Sequence, residues 1–171
     1  MYFVTSDEHF GHVNILKYCN RPFENVHEMN KAIIDRHNEV VDDNDTVIHA
    51  GDFTMGRDAH RYISKLNGNH IFLEGSHDKW MGKHHNNRQI LEIKIQGTPV
   101  IICHYCMRTW ARSHYNSWHL FGHSHGRLES LGKSHDIGVD GNNFYPYNEI
   151  QIAELMKKKP DNFNLIKKNS R

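Results

Sequence analysis

Histidine is abundant in this chain, and several histidines stand beside carboxylates at short spacing. The chain contains 16 histidines among 171 residues. Five short segments combine His or Asp with turn-forming residues: Asp7-Glu8-His9, Gly51-Asp52, Gly75-Ser76-His77-Asp78, Cys103-His104-Tyr105 and Gly122-His123-Ser124-His125. Histidine is the commonest metal ligand and a frequent proton shuttle, so these segments indicate metal binding or acid–base chemistry.

Each segment alone is a weak signal, because an isolated Gly-Asp or Asp-x-His is more often an ordinary turn with a surface side chain. The spacing of His123 and His125 on an extended segment places both imidazoles on one side of the chain. Together, two carboxylates and four imidazoles exceed what solubility requires. Burying them without a cation would cost free energy, so the combination favours a metal centre.

The five segments share a position relative to the predicted strands. Short apolar runs predict strands that end just before them, at 1–6, 46–50, 70–73, 100–103 and 118–121. Ligands of open α/β sheets collect at the carboxyl ends of strands, so we expect the five loops to share one crevice.

The remaining pattern predicts the elements that position these strands. Apolar spacing favours helical turns at 13–18 and helices over 26–41, 58–66 and 149–158, and a further strand at 135–139. Alternation over 90–95, a turn at 96–99 and a second apolar run predict a hairpin. The order β-α-β-α-β followed by mostly β predicts a layered α/β domain, and the length predicts one domain over 1–171.

Composition excludes several classes of protein. Lys and Arg total 21 against 20 Asp and Glu, a net charge of +1, which argues against a nucleic-acid coat or a polybasic membrane binder. No apolar run approaches the ~20 residues that span a bilayer. Three cysteines without CxxC spacing predict no disulfide framework, and the amino terminus has no signal-peptide pattern. We therefore expect a cytoplasmic protein without a membrane partner.

The ligand types indicate the class of metal. Mixed carboxylate and imidazole groups suit Zn, Mn, Fe, Co or Ni. Six or seven ligands are too many for one tetrahedral zinc and suit two metals that share a carboxylate. Metal pairs of this kind serve in-line displacement at phosphorus.

The ordered series of motifs over residues 7–125 resembles the calcineurin-like metallophosphoesterases. A closer variant, Asp7-Glu8-His9-Phe10-Gly11-His12-x-Asn14 with Arg21-Pro22-Phe23 and Gly138-Val139-Asp140 downstream, is similar to a small single-domain branch of bacteria and phages. The resemblance implies an α/β fold, a four-layer α/β/β/α sandwich of two mixed sheets flanked by helices.

The resemblance also implies roles for individual residues around two divalent metal ions, with Mn favoured. The first ion would be held by Asp7, His9, Asp52 and His125. The second would share Asp52 and add His104 and His123. His77 would assist the leaving group and Asp78 would orient the His77 ring, while a hydroxide held between the metals attacks phosphorus.

The third motif departs from the family pattern. The family has Gly-Asn-His-Asp, and its Asn oxygen binds the second metal, whereas this chain has Gly75-Ser76-His77-Asp78. The shorter serine is a poorer neutral donor. We therefore expect Ser76 to hold the second metal more weakly or through water.

Four further residues are candidate substrate contacts: His12, Asn14, Arg21 and Arg108. His12 and Asn14 follow the first motif closely enough to face the crevice, and helix capping is the alternative. Arg21 can pair with a phosphate in bidentate fashion, and a structural salt bridge is the alternative. Arg108 lies among aromatic residues, which can stack a base.

The expected activity is metal-dependent phosphodiester hydrolysis of a small phosphoester or nucleotide substrate, with nucleic-acid ends as further substrates. The chain has no inserted domain that would close over a small monoester, and this favours diesters. One alternative is a phosphomonoesterase or nucleotide phosphatase of the same fold. Another is a weakened or non-catalytic scaffold, because Ser76 replaces asparagine, and the last is a structural zinc module.

Overall fold

The computed structural model describes residues 1–82 and 87–166. Within these ranges the strands are β1 (Tyr2–Thr5), β2 (Thr46–His49), β3 (Asn69–Phe72), β4 (Ile90–Ile95), β5 (Thr98–Cys103), β6 (Trp118–Phe121), β7 (Ser134–Asp136) and β8 (Tyr147–Asn148). The α-helices are α1 (Ile15–Tyr18), α2 (Val26–Val40), α3 (His60–Ile63) and α4 (Glu149–Lys158). No helix in the described ranges combines the length and apolar character needed to cross a membrane.

The first sheet has the strand order β3-β2-β1-β8. β1 pairs with β2 and β2 with β3 in parallel, and β8 is antiparallel to β1. In this register Thr5 lies opposite His49, which lies opposite Phe72. The carboxyl ends of β1, β2 and β3 therefore meet at one edge of the sheet.

The second sheet has the strand order β4-β5-β6-β7. The hairpin of β4 and β5 turns at Gln96 and Gly97, both with positive φ (48° and 80°), as tight hairpin turns require. β5, β6 and β7 are parallel. A bridge from Ser6 to Gly138 links the residue after β1 to the segment after β7, so the carboxyl ends of these strands in the two sheets lie side by side.

Two apolar clusters hold the layers together. Between the sheets, residues such as Val4 and Ile48 pack with Val100 and Leu120, and α4 closes this cluster with Ile152, Ala153 and Met156. Helices α2 and α3 cover the other face of the first sheet with a second cluster that includes Met29, Ile33, Phe53 and Tyr62. The predicted fold of two mixed sheets flanked by helices is confirmed.

The helix ends follow from local capping. The Asn25 side chain accepts hydrogen bonds from His27 N and Glu28 N at the start of α2, and Asn148 with Gln151 forms a capping box at α4. α3 is shorter than the predicted 58–66, because the chain after Ile63 tightens into i→i+3 turns such as Leu66 N to Ile63 O.

Candidate metal centre

The five predicted loops converge at the shared edge of the two sheets. Five of their residues adopt the left-handed backbone region, with φ between 49° and 68°: Asp7, His9, Asp52, His123 and His125. Asp and His are among the residues that tolerate this region, at a cost of about 1–3 kcal/mol each. Such strain clusters at functional sites, and here it turns short polar loops back toward a common point.

Glycines allow the close approach of these loops. A Cβ at Gly122 would collide with Ser6 Oγ and Asp7 Oδ2, and one at Gly75 would collide with Asp52 N and Oδ1. The motif glycines are therefore positions where the neighbouring backbone and carboxylate occupy the space of a side chain.

Three groups of described side chains present ligand atoms that lie within 4.8 Å of one another. Two of them adjoin each other at the converging loops: Asp7, His9 and His125, and Asp52, His104 and His123. The third, Cys19, His125 and Asp140, shares His125 with the first. His9 Nε2 lies 3.9 Å from Asp7 Oδ1 and 3.6 Å from Asp52 Oδ2. The Asp52 carboxylate also lies 3.4 Å from His104 Nε2, so it stands between the two groups.

The donor set fits divalent cations. His9 Nε2 and His104 Nε2 are fully buried, and neither has a hydrogen-bond partner among the described residues. Both atoms face the Asp52 carboxylate, at 3.6 and 3.4 Å, without forming a hydrogen bond to it. Buried imidazole nitrogens without partners beside buried carboxylates are accounted for by cations between them.

Hydrogen bonds from the outer nitrogens orient these rings. His104 Nδ1 lies 3.0 Å from Ala50 O, and His125 Nδ1 lies 2.8 Å from Asp140 Oδ2. His9 Nδ1 faces His12 Nδ1 at 3.3 Å. Each contact leaves Nε2 directed toward the carboxylates, as metal-ligating histidines require.

The electrostatics of the site also favour a cation. Burial raises the pKa of the Asp7 carboxyl to about 7 and lowers the pKa of His9 to about 3. Burial opposes ionisation of Asp52 too, but the neighbouring His104 imidazole, the His77 backbone N–H and His9 together outweigh it and lower the Asp52 pKa. Burial is thus the largest influence on all three groups, and a cation would offset the cost of the buried charge.

Asp140 belongs to a motif of the sequence, but no role was predicted for it. In the structure it contacts Arg21 and the candidate ligand His125. It accepts hydrogen bonds of 2.8 Å from Arg21 Nε and Nη2 and contacts His125 Nδ1. Burial acts to raise the Asp140 pKa, but His125 and Arg21 outweigh it and lower the pKa to about 2. The sequence signal was the Gly138-Val139-Asp140 motif, which does not reveal that the partners of Asp140 lie 15 and 119 residues away.

The phosphate contact expected of Arg21 is corrected by this geometry. The guanidinium is fully buried, and it donates to Asp140 and to the backbone carbonyls of Asp7 and Glu8. Its donors are used inside the protein, so the salt-bridge alternative describes Arg21. Through its bonds to the Asp7 and Glu8 carbonyls, Arg21 holds the backbone of the first motif in place.

The role expected of Asp78 is also corrected. Its carboxylate accepts hydrogen bonds from Asp52 N, Phe53 N, Thr54 N, Gly75 N and Trp80 Nε1. These donors occupy both oxygens, so the carboxylate holds the Asp52 loop rather than the His77 ring. Asp78 is a positioning residue for the backbone on either side of the site.

Ser76 and His77 lie beside the Asp52 carboxylate. Ser76 Oγ donates to Asp52 Oδ2 at 3.0 Å, and His77 N donates to Asp52 Oδ1 at 2.8 Å. His77 Nε2 lies 3.9 Å from Asp52 Oδ2, and its side chain is 37% exposed. Ser76 is thus bonded to the candidate bridging carboxylate, and His77 is open to a substrate.

The other candidate substrate contacts lie in different places. The ring of His12 is 5.7 Å from that of His77, within the histidine cluster. Asn14 is exposed at the N-cap position of α1, where its side chain makes no capping bond. The guanidinium of Arg108 packs over Phe163, 4.7 Å from the ring centroid, so the carboxyl-terminal segment holds it.

Sequence reasoning missed a buried polar network behind the first motif. Glu8 Oε1 lies 2.6 Å from His49 Nδ1, and His49 Nε2 lies 3.0 Å from His70 Nδ1. Burial raises the pKa of Glu8 to about 8 and lowers that of His49 to about 3. Strand periodicity could have flagged His49, which faces helices rather than solvent, but not its partner.

Comparison with known proteins supplies relatives. An uncharacterized protein of Methanocaldococcus jannaschii, MJ1445, is 32% identical over 167 residues, covering 91% of each chain. Protein AQ665 of Aquifex aeolicus, of unknown function, superposes with a TM-score of 0.68 at 22% identity, covering 91% of this chain and 98% of that one. No family model matches the chain.

Weaker structural likenesses include an archaeal phosphodiesterase, with a TM-score of 0.46 at 21% identity over 80% of this chain and 81% of that one. A predicted phosphoesterase of Streptococcus pneumoniae gives 0.44 at 18% identity over 80% and 70%. The motifs that resemble one superfamily occupy one site here, and the archaeal relative matches nearly the whole chain. The chain therefore belongs to one family with the archaeal protein MJ1445, and the motifs that meet at its site resemble those of the calcineurin-like metallophosphoesterases.

Proposed function

We propose that this protein is a metal-dependent phosphoesterase that prefers phosphodiesters. The observation that supports this proposal most strongly is the position of Asp52 Oδ2. This atom lies 3.6 Å from His9 Nε2, 3.4 Å from His104 Nε2 and 3.9 Å from His77 Nε2. One carboxylate thus adjoins both ligand groups and an accessible imidazole. That arrangement suits a reaction in which cations and a proton donor act on the same phosphate.

The residues that would hold the cations are the two groups around Asp52. Asp7, His9 and His125 would hold one ion, His104 and His123 the other, and Asp52 would serve both. When bound, two divalent cations supply a nucleophile from water at neutral pH and stabilise negative charge on phosphate oxygens. Ser76 would act on the second ion through its hydrogen bond to Asp52.

The chain's own groups carry the remaining tasks. His77 Nε2 would donate a proton to the departing ester oxygen, which makes the alcohol a better leaving group. Asp78 would keep the His77 turn and the Asp52 loop in register through the backbone amides on its carboxylate. His12 would lie against both His9 and His77 and limit the motion of both rings.

Preference for diesters is supported by two cavities beside the centre. One of about 530 Å³ is lined by Ser76 and Trp80, and another of about 310 Å³ is lined by His104 and Tyr105. Both include Glu74 and Gly75, so they meet at the third motif. A diester carries two substituents on phosphorus, and each cavity offers room for one of them.

A matrix of metals and substrates tests the proposal. Purified protein is loaded with Mn²⁺, Ni²⁺ or Zn²⁺ and assayed on bis-p-nitrophenyl phosphate and p-nitrophenyl phosphate. We expect faster diester hydrolysis, and a loss of roughly 10²–10⁴-fold in kcat for His77→Ala with unchanged metal content.

The control is His27→Ala, a change at an exposed histidine of α2. Full activity in His77→Ala would remove the role of His77, and a preference for the monoester would reverse the substrate assignment. A metal-loaded protein without activity on either ester would favour the scaffold alternative.

A further inference from the structure

The larger of the two cavities beside the candidate metal centre is lined by cationic and aromatic side chains. Its wall includes Arg57, Lys79, Trp80 and Glu74, together with Gly75 and Ser76 of the third motif. Ser76 Oγ is 3.0 Å from Asp52 Oδ2, so the cavity opens directly beside the candidate bridging carboxylate. Its volume of about 530 Å³ lies within the ~300–1,000 Å³ of small-molecule sites.

Two cations in this wall have no assigned partner. Arg57 and Lys79 are exposed, and neither forms a salt bridge within residues 1–82 and 87–166. Asp78, the buried carboxylate of the wall, is already bonded to five N–H groups. The cations are therefore free to bind an anion of the substrate.

Trp80 supplies a fixed aromatic surface in the same wall. Its indole Nε1 donates to Asp78 Oδ1 at 2.9 Å, and its ring packs edge-on against Phe72 at 5.2 Å. An indole held in this way can stack a planar group without further ordering cost.

We propose that the cavity of Arg57, Lys79 and Trp80 binds the arm of a substrate that carries a second phosphate beyond the scissile one. This inference rests on the proposed phosphodiesterase function and names its substrate class. The arm would place a base or similar planar group on Trp80 and its phosphate between Arg57 and Lys79. Glu74, at the border of the cavity, would disfavour a more highly charged arm.

Dinucleotides that differ by one phosphate provide the test. Hydrolysis of TpT, pTpT and TpTp is compared on the Mn²⁺-loaded protein, because all three share one scissile diester. We expect kcat/KM to be about fivefold to tenfold higher for one of the phosphorylated forms than for TpT. The preference should shrink at about 0.5 M salt, since exposed charges are screened.

Variants assign the preference to the cavity. In the double variant Arg57→Ala/Lys79→Ala the ratio should fall to about 1, and in Glu74→Gln it should rise. The matched control is Lys157→Ala/Lys158→Ala, which removes two exposed charges from the end of α4 and should keep the ratio. Calorimetric titration with thymidine 3′,5′-bisphosphate should show the same loss of affinity in Arg57→Ala/Lys79→Ala.

Two results would overturn the inference: equal rates on all three dinucleotides by an active wild type, or an unchanged ratio in the Arg57→Ala/Lys79→Ala variant. If TpT is hydrolysed in either case, the proposed phosphodiesterase function still holds and only the cavity inference is wrong. If no diester is hydrolysed, the proposed function itself is wrong. Longer single-stranded oligonucleotides distinguish the source of the second phosphate. A further gain with length favours nucleic-acid ends, and no gain favours a small nucleotide.

Discussion

At the scale of single residues, Asp52 concentrates most of the chemistry. It receives hydrogen bonds from Ser76 Oγ and His77 N and faces two imidazole nitrogens that have no hydrogen-bond partner in the described part of the chain. A carboxylate that accepts hydrogen bonds from neutral donors and lies beside imidazoles stays ionised, so its negative charge can stabilise a bound cation. The site is thus organised around one buried anion.

The serine in the third motif leads to a prediction about metal affinity. Ser76 reaches the candidate bridging carboxylate, and its oxygen is a poorer ligand than an asparagine oxygen. Ser76→Asn should therefore tighten the weaker of two Mn²⁺ sites by roughly tenfold or more, measured by isothermal titration calorimetry.

Ser76→Ala is the matched control, since it removes the hydroxyl and adds no ligand. It should bind the second ion no more tightly than the wild type. Two tightly held ions in the wild type, with affinities unchanged by Ser76→Asn, would contradict this account of the serine.

At the scale of elements, the loops after the strands depend on glycines that leave space for carboxylates. Gly122→Ala should displace Asp7, because the new Cβ would meet Asp7 Oδ2 and Ser6 Oγ in a packed interior. We expect a loss of about 1–3 kcal/mol in the free energy of unfolding and a marked loss of Mn²⁺ affinity. Denaturant unfolding and metal titration measure the two effects.

Gly56→Ala serves as the comparison, because a Cβ there would lie at ordinary contact distances, 3.8 Å from Thr54 Oγ1 and 4.0 Å from Asp58 N. It should keep the stability and metal affinity of the wild type. A Gly122→Ala protein that binds Mn²⁺ as tightly as Gly56→Ala would show that Asp7 is not positioned by this contact.

The elements also show what local sequence can reveal. The alternation in β4, the apolar run of β5 and the apolar spacing of α2 and α4 lie within single segments, so periodicity found them. β8 has only two residues and exists because β1 offers a free edge. The hydrogen bonds of Asp78 reach 24 to 26 residues back in the chain, and no local pattern encodes them.

At the scale of the whole molecule, buried histidines couple stability to pH. His37 is only 4% exposed, and its Nε2 lies 2.9 Å from Asn67 O. Burial lowers its pKa from 6.5 to about 3. Between these two values the unfolded chain binds a proton that the folded protein does not, so stability falls as the pH falls below 6.5.

His37→Gln isolates this contribution, because its amide can still donate to the Asn67 carbonyl but cannot titrate. Relative to this variant, the wild type should lose about 1 kcal/mol of unfolding free energy between pH 6 and pH 5. Urea unfolding at a series of pH values measures both proteins. The neighbouring rings of His49 and His70 are present in both and cancel in the comparison. Parallel stability curves would contradict the assignment.

The convergence of loops was predictable because parallel strands end at one edge, and β1, β2 and β3 do so. The partners of Arg21 were not, because its ion pair with Asp140 forms only when residues 119 apart in sequence meet. The large cavity was likewise invisible to sequence, since Arg57 reaches it from a different loop than Lys79 and Trp80.

The central claim is that the side chains around Asp52 bind a pair of divalent cations. Crystals of the protein soaked in Mn²⁺ test it directly through the anomalous signal of the metal. The account predicts two peaks about 3.5–4 Å apart, one beside Asp7, His9 and His125 and the other beside His104 and His123, with Asp52 between them. A single peak, peaks elsewhere, or no peak beside Asp52 would contradict it.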